Sequence, residues 1–360
     1  MTTKKKSFHL VDPELAEALD TLPHLELTEE NLSAVRKEIA AMNVPVPDHL
    51  PVDVAEKWIP GPDGAPHVRV IVFTPTQVPS PRPALLDIHG GGMVLGSADM
   101  NNATNAMLAA ELGCSVFSVD YRLAPEHPHP APVEDCYAAL KWIHLNAEDL
   151  GINRDKIAVT GMSAGGGLAA ALALLARDRG EVKLIFQHLL APMLDDRTCV
   201  REPGPYVGEY VWTRESNYFG WKSLLGCDPG SPGVSPYASP ARAEDLSGLP
   251  PAFISVGALD LFVEENIRAT ASTLGVPLDH FRTWIALHEA THAFELEAHP
   301  WLRPYLRERM EQQLALFLDE ARSLQRGGLR GLARRWRTAA SEGSIMGFMS
   351  PEQRGLMKEV

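Results

Sequence analysis

The strongest chemical signal in the sequence is Gly161-Met162-Ser163-Ala164-Gly165, a Gly-x-Ser-x-Gly pattern typical of a nucleophilic serine. It lies between an apolar run at 157–160 and another at 168–175, which predicts a turn between a strand and a helix. Small neighbours are needed because such a serine occupies a tight, strained turn with no room for a Cβ beside it. The helix that follows directs its free N–H groups toward the serine and favours a developing oxyanion there.

A second motif, His89-Gly90-Gly91-Gly92, follows the apolar run 84–88. Consecutive glycines allow a loop to direct two backbone N–H groups at one oxygen, as a carbonyl that becomes an oxyanion requires. We therefore predict that the N–H groups of Gly91, Gly92 and Ala164 form an oxyanion hole.

A serine at its ordinary pKa is a weak nucleophile, so a histidine base and an orienting acid are expected in the order Ser, Asp, His. Asp260 follows the apolar run 252–256, and His292 follows the run 278–286. Both come after predicted strands, on the side where the serine is exposed. The sequence thus predicts a triad of Ser163, Asp260 and His292, with turnover that falls below about pH 6.5 as the base is protonated.

The elements that must position these residues alternate along the chain. Strands are predicted at 67–75, 84–88, 114–121, 156–160, 182–190, 252–256 and 278–286. Helices are predicted at 12–22, 28–42, 102–112, 132–149, 164–177, 264–274 and 304–324. This alternation indicates an α/β fold with a mostly parallel central sheet and helices on both faces.

Two regions interrupt the alternation, namely residues 1–50 and a Pro/Gly-rich insertion at about 193–250. Ligands of open α/β sheets bind beyond the carboxyl ends of the strands, so we assign both regions to a helical cap over the site. For residues 1–50 the alternative is packing on the back of the sheet. Residues 51–325 then form the catalytic domain. Substrate contacts are predicted for Met93, Met162, Trp212 and Phe219, although the two aromatic residues would serve equally well as the core of the cap.

Residues 326–360 form a basic C-terminal extension, and arginines recur at helical spacing from residue 322 onward. A basic amphipathic helix binds either a membrane or an anionic protein surface. Because the rest of the chain is acidic, docking on its own protein or on a second subunit is the favoured interpretation.

From about Pro83 to Leu318 the chain resembles the hormone-sensitive-lipase branch, bacterial family IV, of the α/β-hydrolases. The shared motifs are residues 89–92, 120–126 (Asp-Tyr-Arg-Leu-Ala-Pro-Glu), 130–135, 161–166 and His-Ala-Phe at 292–294. The resemblance implies the α/β-hydrolase fold and an esterase that uses Ser163, Asp260 and His292. It also implies a cap, short uncharged acyl chains and a homodimer. The chain departs from the family pattern at Met162, where the family has Asp or Thr, and in Leu261-Phe262-Val263, where the family is more polar. It also has Ala293 where the family has glycine.

His288-Glu289-Ala290-Thr291-His292 is also a literal His-Glu-x-x-His, the zinc-binding pattern of metallopeptidases. The segment follows a β-rich run, and Pro300 and Pro304 interrupt the helix that the zinc pattern needs. We therefore predict no metal and no cofactor. His288 remains a rival base, and the His-Ala-Phe match favours His292. The functional prediction is a serine carboxylic-ester hydrolase for short- to medium-chain acyl esters; the alternatives are a zinc peptidase and a non-catalytic binding module on the same fold.

Composition limits the partners and the location. The 360 residues carry 33 Lys and Arg against 46 Asp and Glu, a formal net charge of −13 that disfavours nucleic acid. No apolar run reaches the ~18 residues of a membrane span, so stable membrane insertion is not expected. The four cysteines are widely spaced, which indicates thiols in a reducing compartment and a cytoplasmic protein.

Overall fold

The central feature of the fold is a seven-stranded sheet. A computed structural model describes residues 5–11, 26–202, 204, 206–274 and 277. The strands are β1 (Val52–Ile59), β2 (Val68–Pro75), β3 (Arg82–Ile88), β4 (Ser115–Asp120), β5 (Ile152–Met162), β6 (Gln187–Leu190) and β7 (Ala252–Ser255). Their order is β1-β2-β4-β3-β5-β6-β7; β2 is antiparallel to both of its neighbours, and the remaining pairs are parallel.

Helices lie on both faces of this sheet. They are α1 (Leu32–Ala41), α2 (Asn102–Leu112), α3 (Ala131–Leu145), α4 (Ala164–Arg179), α5 (Arg214–Leu225) and α6 (Val263–Leu274). Short 3-10 helices occur at Lys6–Leu10, Ala98–Asn101, Asp196–Cys199 and Pro240–Arg242.

Successive side chains of a strand point to opposite faces of the sheet, so the core is divided between those two faces. On one face, Ala106 and Ala109 of α2 pack against Ile71, Phe73 and Val116. On the other face, α3 and α4 pack on a larger core that includes Leu86, Ile88, Val159, Leu140 and Leu172. Leu172 is fully buried, and truncating such a leucine to alanine costs about 2–5 kcal/mol. The sheet and α4 are thereby held rigidly beneath the nucleophile turn.

The predicted α/β architecture is confirmed, with informative differences. β1 was not predicted because Asp53, Glu56 and Lys57 interrupt its apolar residues, so no apolar run marks it, and most of its side chains are exposed. β6 is shorter than the predicted run 182–190. Helix α5 lies in the insertion and was not predicted; a Thr213 cap and a left-handed Gly226 define its ends. The elements predicted at 12–22, 278–286 and 304–324 lie outside the described residues.

The described parts of residues 1–50 contact the insertion. The backbone N–H of Ser7 donates to Glu209 at 2.8 Å, and the N–H of Leu27 donates to Ser216 Oγ at 3.2 Å. Leu32 and Val35 of α1 share a small core with Val94, Leu95, Trp212 and Phe219. These contacts place α1 against the loop that follows β3, and the assignment of residues 1–50 to a cap stays a prediction.

Candidate active site

Ser163 occupies the predicted turn between β5 and α4. Its backbone has φ 56° and ψ −120°, a conformation that non-glycine residues rarely adopt. Its carbonyl accepts hydrogen bonds from the N–H groups of Gly167 (3.0 Å) and Met193 (2.9 Å), which hold the turn in place. A Cβ built on Gly165 would lie 1.9 Å from the Ile88 carbonyl oxygen, so α4 begins in direct contact with the end of β3.

The structure brings the glycine loop to this serine. A Cβ built on Gly90 would lie 3.5 Å from Ser163 Cβ and 3.0 Å from the Met162 carbonyl oxygen. The loop is closed on itself because the Gly91 carbonyl accepts from the N–H groups of Val94 (3.1 Å) and Leu95 (2.8 Å). Ala164 is the first residue of α4, so its N–H lies at the helix N-terminus. The residues predicted to form the oxyanion hole thus come from two segments that meet at Ser163.

His89 supports the glycine loop from below, a role that the sequence did not reveal. Its ring is fully buried, stacks on Tyr121 at 4.2 Å, and places Nδ1 2.8 Å from the Gly90 carbonyl oxygen. Because that oxygen can only accept, Nδ1 carries the proton and donates. Burial lowers the pKa of His89, which keeps the ring neutral. In a trans peptide the N–H points opposite to the C=O, so this bond turns the Gly91 N–H away from His89.

A buried acid, Asp87, lies two residues before His89 on β3. Its carboxyl accepts hydrogen bonds from Asn105 Nδ2 (2.8 Å), Asn101 Nδ2 (3.1 Å) and Ser118 Oγ (3.3 Å). Burial raises the pKa of Asp87, and these donors oppose the rise. This polar cluster ties α2 and β4 to the strand that carries the glycine loop.

Arg36 of α1 joins the N-terminal segment to the loops around the site. Its Nε donates to the Val94 carbonyl (2.8 Å) and one terminal nitrogen donates to the Ala124 carbonyl (2.9 Å). Both terminal nitrogens also bind the Glu126 carboxylate, at 2.6 and 2.8 Å. This bidentate pair lowers the pKa of Glu126 to about 2, chiefly through the hydrogen bonds from Arg36. A single arginine in a helix carries no sequence signal of this role.

The residues predicted to contact substrate differ in their placement. Trp212 lies directly over the glycine loop, since a Cβ on Gly92 would come within 2.1 Å of its ring. Phe219 packs on the core shared with α1, and Met162 is 43% exposed at the end of β5. Met93 is completely buried and its Cε is 3.5 Å from a Cβ built on Gly167. The predicted substrate contact of Met93 therefore needs correction, because its side chain belongs to the core.

Asp260 follows β7, as predicted, in the turn that leads to α6. Its Oδ1 accepts the N–H of Phe262 at 2.8 Å, and burial raises its pKa above the ordinary value. His292 and His288 lie outside the described residues, so the pairing of Asp260 with a histidine stays a prediction. In the described part of the chain, no group of three or more His, Cys, Asp or Glu side chains is arranged to hold a metal ion. No helix among the described residues has the length and apolarity needed to cross a membrane.

Comparison with known proteins agrees with this geometry. A family profile described as alpha/beta hydrolase fold matches residues 85–296, more than half of the chain. Esterase LipI of Mycobacterium tuberculosis is 33% identical over 287 residues, covering 77% of this chain and 87% of the relative. Carboxylesterase NlhH of the same species is 35% identical over 252 residues, covering 69% and 78%. A solved structure of a bacterial heroin esterase is 42% identical, with a TM-score of 0.69, and the match covers 75% of this chain and 87% of that one.

The chain therefore belongs to the α/β-hydrolase fold family. Within that family it is an esterase of the hormone-sensitive-lipase-like branch, as its motifs predicted.

A second profile, described as zincin-like metallopeptidase, matches residues 253–360. The two matched ranges overlap at 253–296, so both contain the segment His288 to His292. The zinc profile covers less than a third of the chain and none of the nucleophile turn. It does not displace the esterase assignment.

Proposed function

We propose that this protein hydrolyses carboxylic esters of short to medium acyl chain length through an acyl-enzyme intermediate on Ser163. The observation that carries the proposal is the position of Ser163. It lies on a strained turn at the N-terminus of α4, and a Cβ built on Gly90 of the glycine loop would lie 3.5 Å from the Cβ of Ser163. This position supports the proposal that a nucleophile and backbone donors act at one place, as acyl transfer requires.

In the proposed mechanism His292 removes the proton from Ser163 Oγ as the oxygen attacks the ester carbonyl. The N–H groups of Gly91, Gly92 and Ala164 bind the resulting oxyanion, and Asp260 keeps the imidazole in the required tautomer. The alcohol leaves with the proton from His292, which leaves an acyl group on Ser163. Water then attacks that ester with His292 again as base, and the carboxylic acid is released.

The cap provides the argument for acyl-chain size. The Trp212 ring lies on Gly92, and its Nε1 donates to Asn217 Oδ1 at 3.3 Å, which fixes its orientation. A bulky, oriented ring beside an oxyanion donor limits the volume open to a substrate, which favours short and medium chains. Met162 directly precedes Ser163 in the sequence, and its exposed side chain offers an apolar surface next to the nucleophile.

The test of the nucleophile is Ser163→Ala, assayed with p-nitrophenyl butanoate and with a phosphonate that labels serine hydrolases. We expect turnover to be lost by a factor of at least ~10⁴ and the mass shift of labelling to disappear, while circular dichroism and the thermal midpoint are kept. A Ser163→Ala protein that still hydrolyses the ester would refute the mechanism.

The test of the base uses the pair His292→Ala and His288→Ala, with and without EDTA. If His292 is the base, only His292→Ala abolishes ester hydrolysis, and EDTA has no effect. The zincin-like match is weak and does not favour the alternative of zinc binding by His288 and His292, but the same two variants test it. That function requires zinc in the purified full chain by atomic absorption and its loss in both variants.

We also propose a cytoplasmic homodimer. For the compartment, Cys114, Cys136 and Cys199 are free and buried, as a reducing compartment allows.

For the dimer, β7 is the outermost described strand on its side of the sheet, and its Phe253 side chain is 55% exposed. A mass of 39.3 kDa by light scattering at micromolar concentration would contradict the dimer.

A further inference from the structure

A cavity of about 300 Å³ lies away from Ser163, between α4, the β6–β7 edge of the sheet and α6. Its interior wall is aliphatic and includes Leu174, Leu189 and Leu194, which are at most 4% exposed. Leu246, Leu249 and Ile254 continue that wall toward the surface. The volume is at the lower end of the roughly 300–1,000 Å³ of small-molecule sites.

Three arginines line the same cavity: Arg197, Arg201 and Arg268. Their side chains are 35–39% exposed, whereas the leucines are buried, so the positive charges lie at the rim and the apolar surface lies inside. Arg268 Nε is buried with no hydrogen-bond partner among the described residues. The cavity thus has an apolar interior, a cationic rim and one unsatisfied donor.

The acidic residues of the cavity do not cancel this charge. Asp195 is shared between two guanidinium groups, with Arg197 Nε at 2.7 Å and Arg201 at 2.8 Å. Glu265 is 3% exposed and accepts the N–H of Leu194 at 2.7 Å and the hydroxyl of Thr198. Burial raises the pKa of Glu265 well above its ordinary value, which favours its neutral form. Arg268 also pairs with Glu264, one terminal nitrogen lying 2.9 Å from the carboxylate, so its Nε is the donor left without a partner in the described part of the chain. Three arginines against the carboxylates of Asp195 and Glu264 leave one positive charge at the rim.

We propose that this cavity binds an unbranched aliphatic carboxylate, with the carboxylate at Arg201 and Arg268 and the chain along the buried leucines. A carboxylate is the anion that an arginine binds with charge-assisted hydrogen bonds, and an alkyl chain is the group that the leucine wall removes from water. Uncharged chains lack the first interaction, and small inorganic anions lack the second. The same class of compound is released by ester hydrolysis, but this binding site is distinct from the proposed catalytic site.

The cavity shares a wall with the nucleophile turn. Leu194 lines the cavity, and the adjacent Met193 donates its N–H to the Ser163 carbonyl at 2.9 Å. Asn266 of α6 donates to the Pro192 carbonyl at 3.2 Å, on the same segment. A bound carboxylate would therefore contact the segment that supports Ser163 without touching Ser163 itself.

Octanoate binding to the full chain, measured by isothermal titration calorimetry, tests the proposal, with octan-1-ol as the uncharged analogue. We expect saturable binding of one octanoate and at least about 10-fold weaker binding of the alcohol. Arg268→Gln should weaken octanoate binding about 10- to 100-fold. Ala241→Leu, which fills the cavity, should abolish it. The matched control is Arg154→Gln, an exposed arginine that does not line the cavity.

Absence of saturable binding would overturn the proposal. So would octanoate affinity that is unchanged in Arg268→Gln, since a carboxylate bound at the catalytic site would behave in that way. Thermal midpoints of the variants show whether each is folded, and Arg268→Gln alone is decisive if Ala241→Leu fails to fold. The calorimetric readout does not depend on turnover, so failure of the catalytic proposal would be seen separately, in the Ser163→Ala assay.

Discussion

Gly220 of α5 lies against the carbonyl oxygen of Gly92: a Cβ built on Gly220 would come within 2.7 Å of that oxygen. The insertion therefore packs directly on the loop that carries two of the predicted oxyanion donors. The same surface includes the Trp212 ring, 3.5 Å from that Cβ position. We therefore expect this contact to hold the loop in its position.

Gly220→Ala should lower kcat for p-nitrophenyl butanoate about 10- to 100-fold, because the added methyl group displaces the loop from its position beside Ser163. Thermal stability should change little. The preference for alanine over glycine inside a helix, up to about 1 kcal/mol, offsets the cost of the displaced contact. Steady-state kinetics and a thermal melt measure both effects. Glu215→Ala, on an exposed position of α5, is the control; a Gly220→Ala enzyme with normal kcat would show that the contact does not position the loop.

His89→Phe should lower kcat by roughly 10- to 100-fold with little change in KM, because the ring stack on Tyr121 is kept while the donor to the Gly90 carbonyl is lost. His89→Asn should recover part of the activity, since its amide N–H can replace Nδ1. Tyr121→Phe removes only the hydroxyl that donates to the His89 carbonyl at 2.9 Å and is the matched control. Equal losses in His89→Phe and His89→Asn would argue for a purely structural role.

Arg36→Met should reduce the free energy of unfolding by about 1–2 kcal/mol, because the carbonyls of Val94 and Ala124 lose their donor. Chemical denaturation measures this loss, and limited proteolysis should show faster cleavage between residues 26 and 50. Lys37→Met, at an exposed neighbouring position, should have neither effect. Unchanged proteolysis of Arg36→Met would mean that α1 is held by its apolar face alone.

The Arg36–Glu126 pair also predicts an acid-dependent loss of stability. The folded state lowers the pKa of Glu126 from 4.5 to about 2, so the pair stabilises the fold above pH 4.5 and loses that contribution as the pH falls toward 2. The effect is reduced by solvent screening because Glu126 is 54% exposed. Urea denaturation from pH 5 to pH 2.5 should show a smaller decline for Glu126→Gln than for the wild type. Parallel declines would contradict the pairing.

Glu265 predicts the opposite pH dependence. Its pKa is raised well above 4.5 in the fold, so the unfolded chain loses the proton first and stability falls as the pH rises above about 4.5. Glu265→Gln should therefore flatten the stability profile between pH 5 and 8, while still accepting the Leu194 N–H. Urea denaturation at pH 5 and at pH 8 measures this change in the free energy of unfolding. The exposed control Glu215→Gln should retain the wild-type slope, and a Glu265→Gln slope equal to it would show that Glu265 is ionised in the fold.

Much of the fold could be predicted because burial leaves a pattern in the sequence. β2, β3 and β4 are apolar runs, since both faces of the inner sheet are covered, and the strained serine turn requires glycines that are visible at 161 and 165. β1 escaped prediction because an exposed edge strand needs no apolar face. Helix α5 escaped it because the helix buries only part of its surface, such as Trp221 and Leu224.

The amino-acid sequence alone determined the reaction class, because Gly-x-Ser-x-Gly and His-Gly-Gly-Gly are local requirements of backbone geometry. Only the tertiary structure decided which distant residues support those motifs. Arg36 reaches Val94, Gly220 touches Gly92, and Met93 is withdrawn into the core. Such contacts join segments separated by many residues, and their side-chain types are common elsewhere in the chain. Close packing of particular surfaces, which no local pattern encodes, is what selects them.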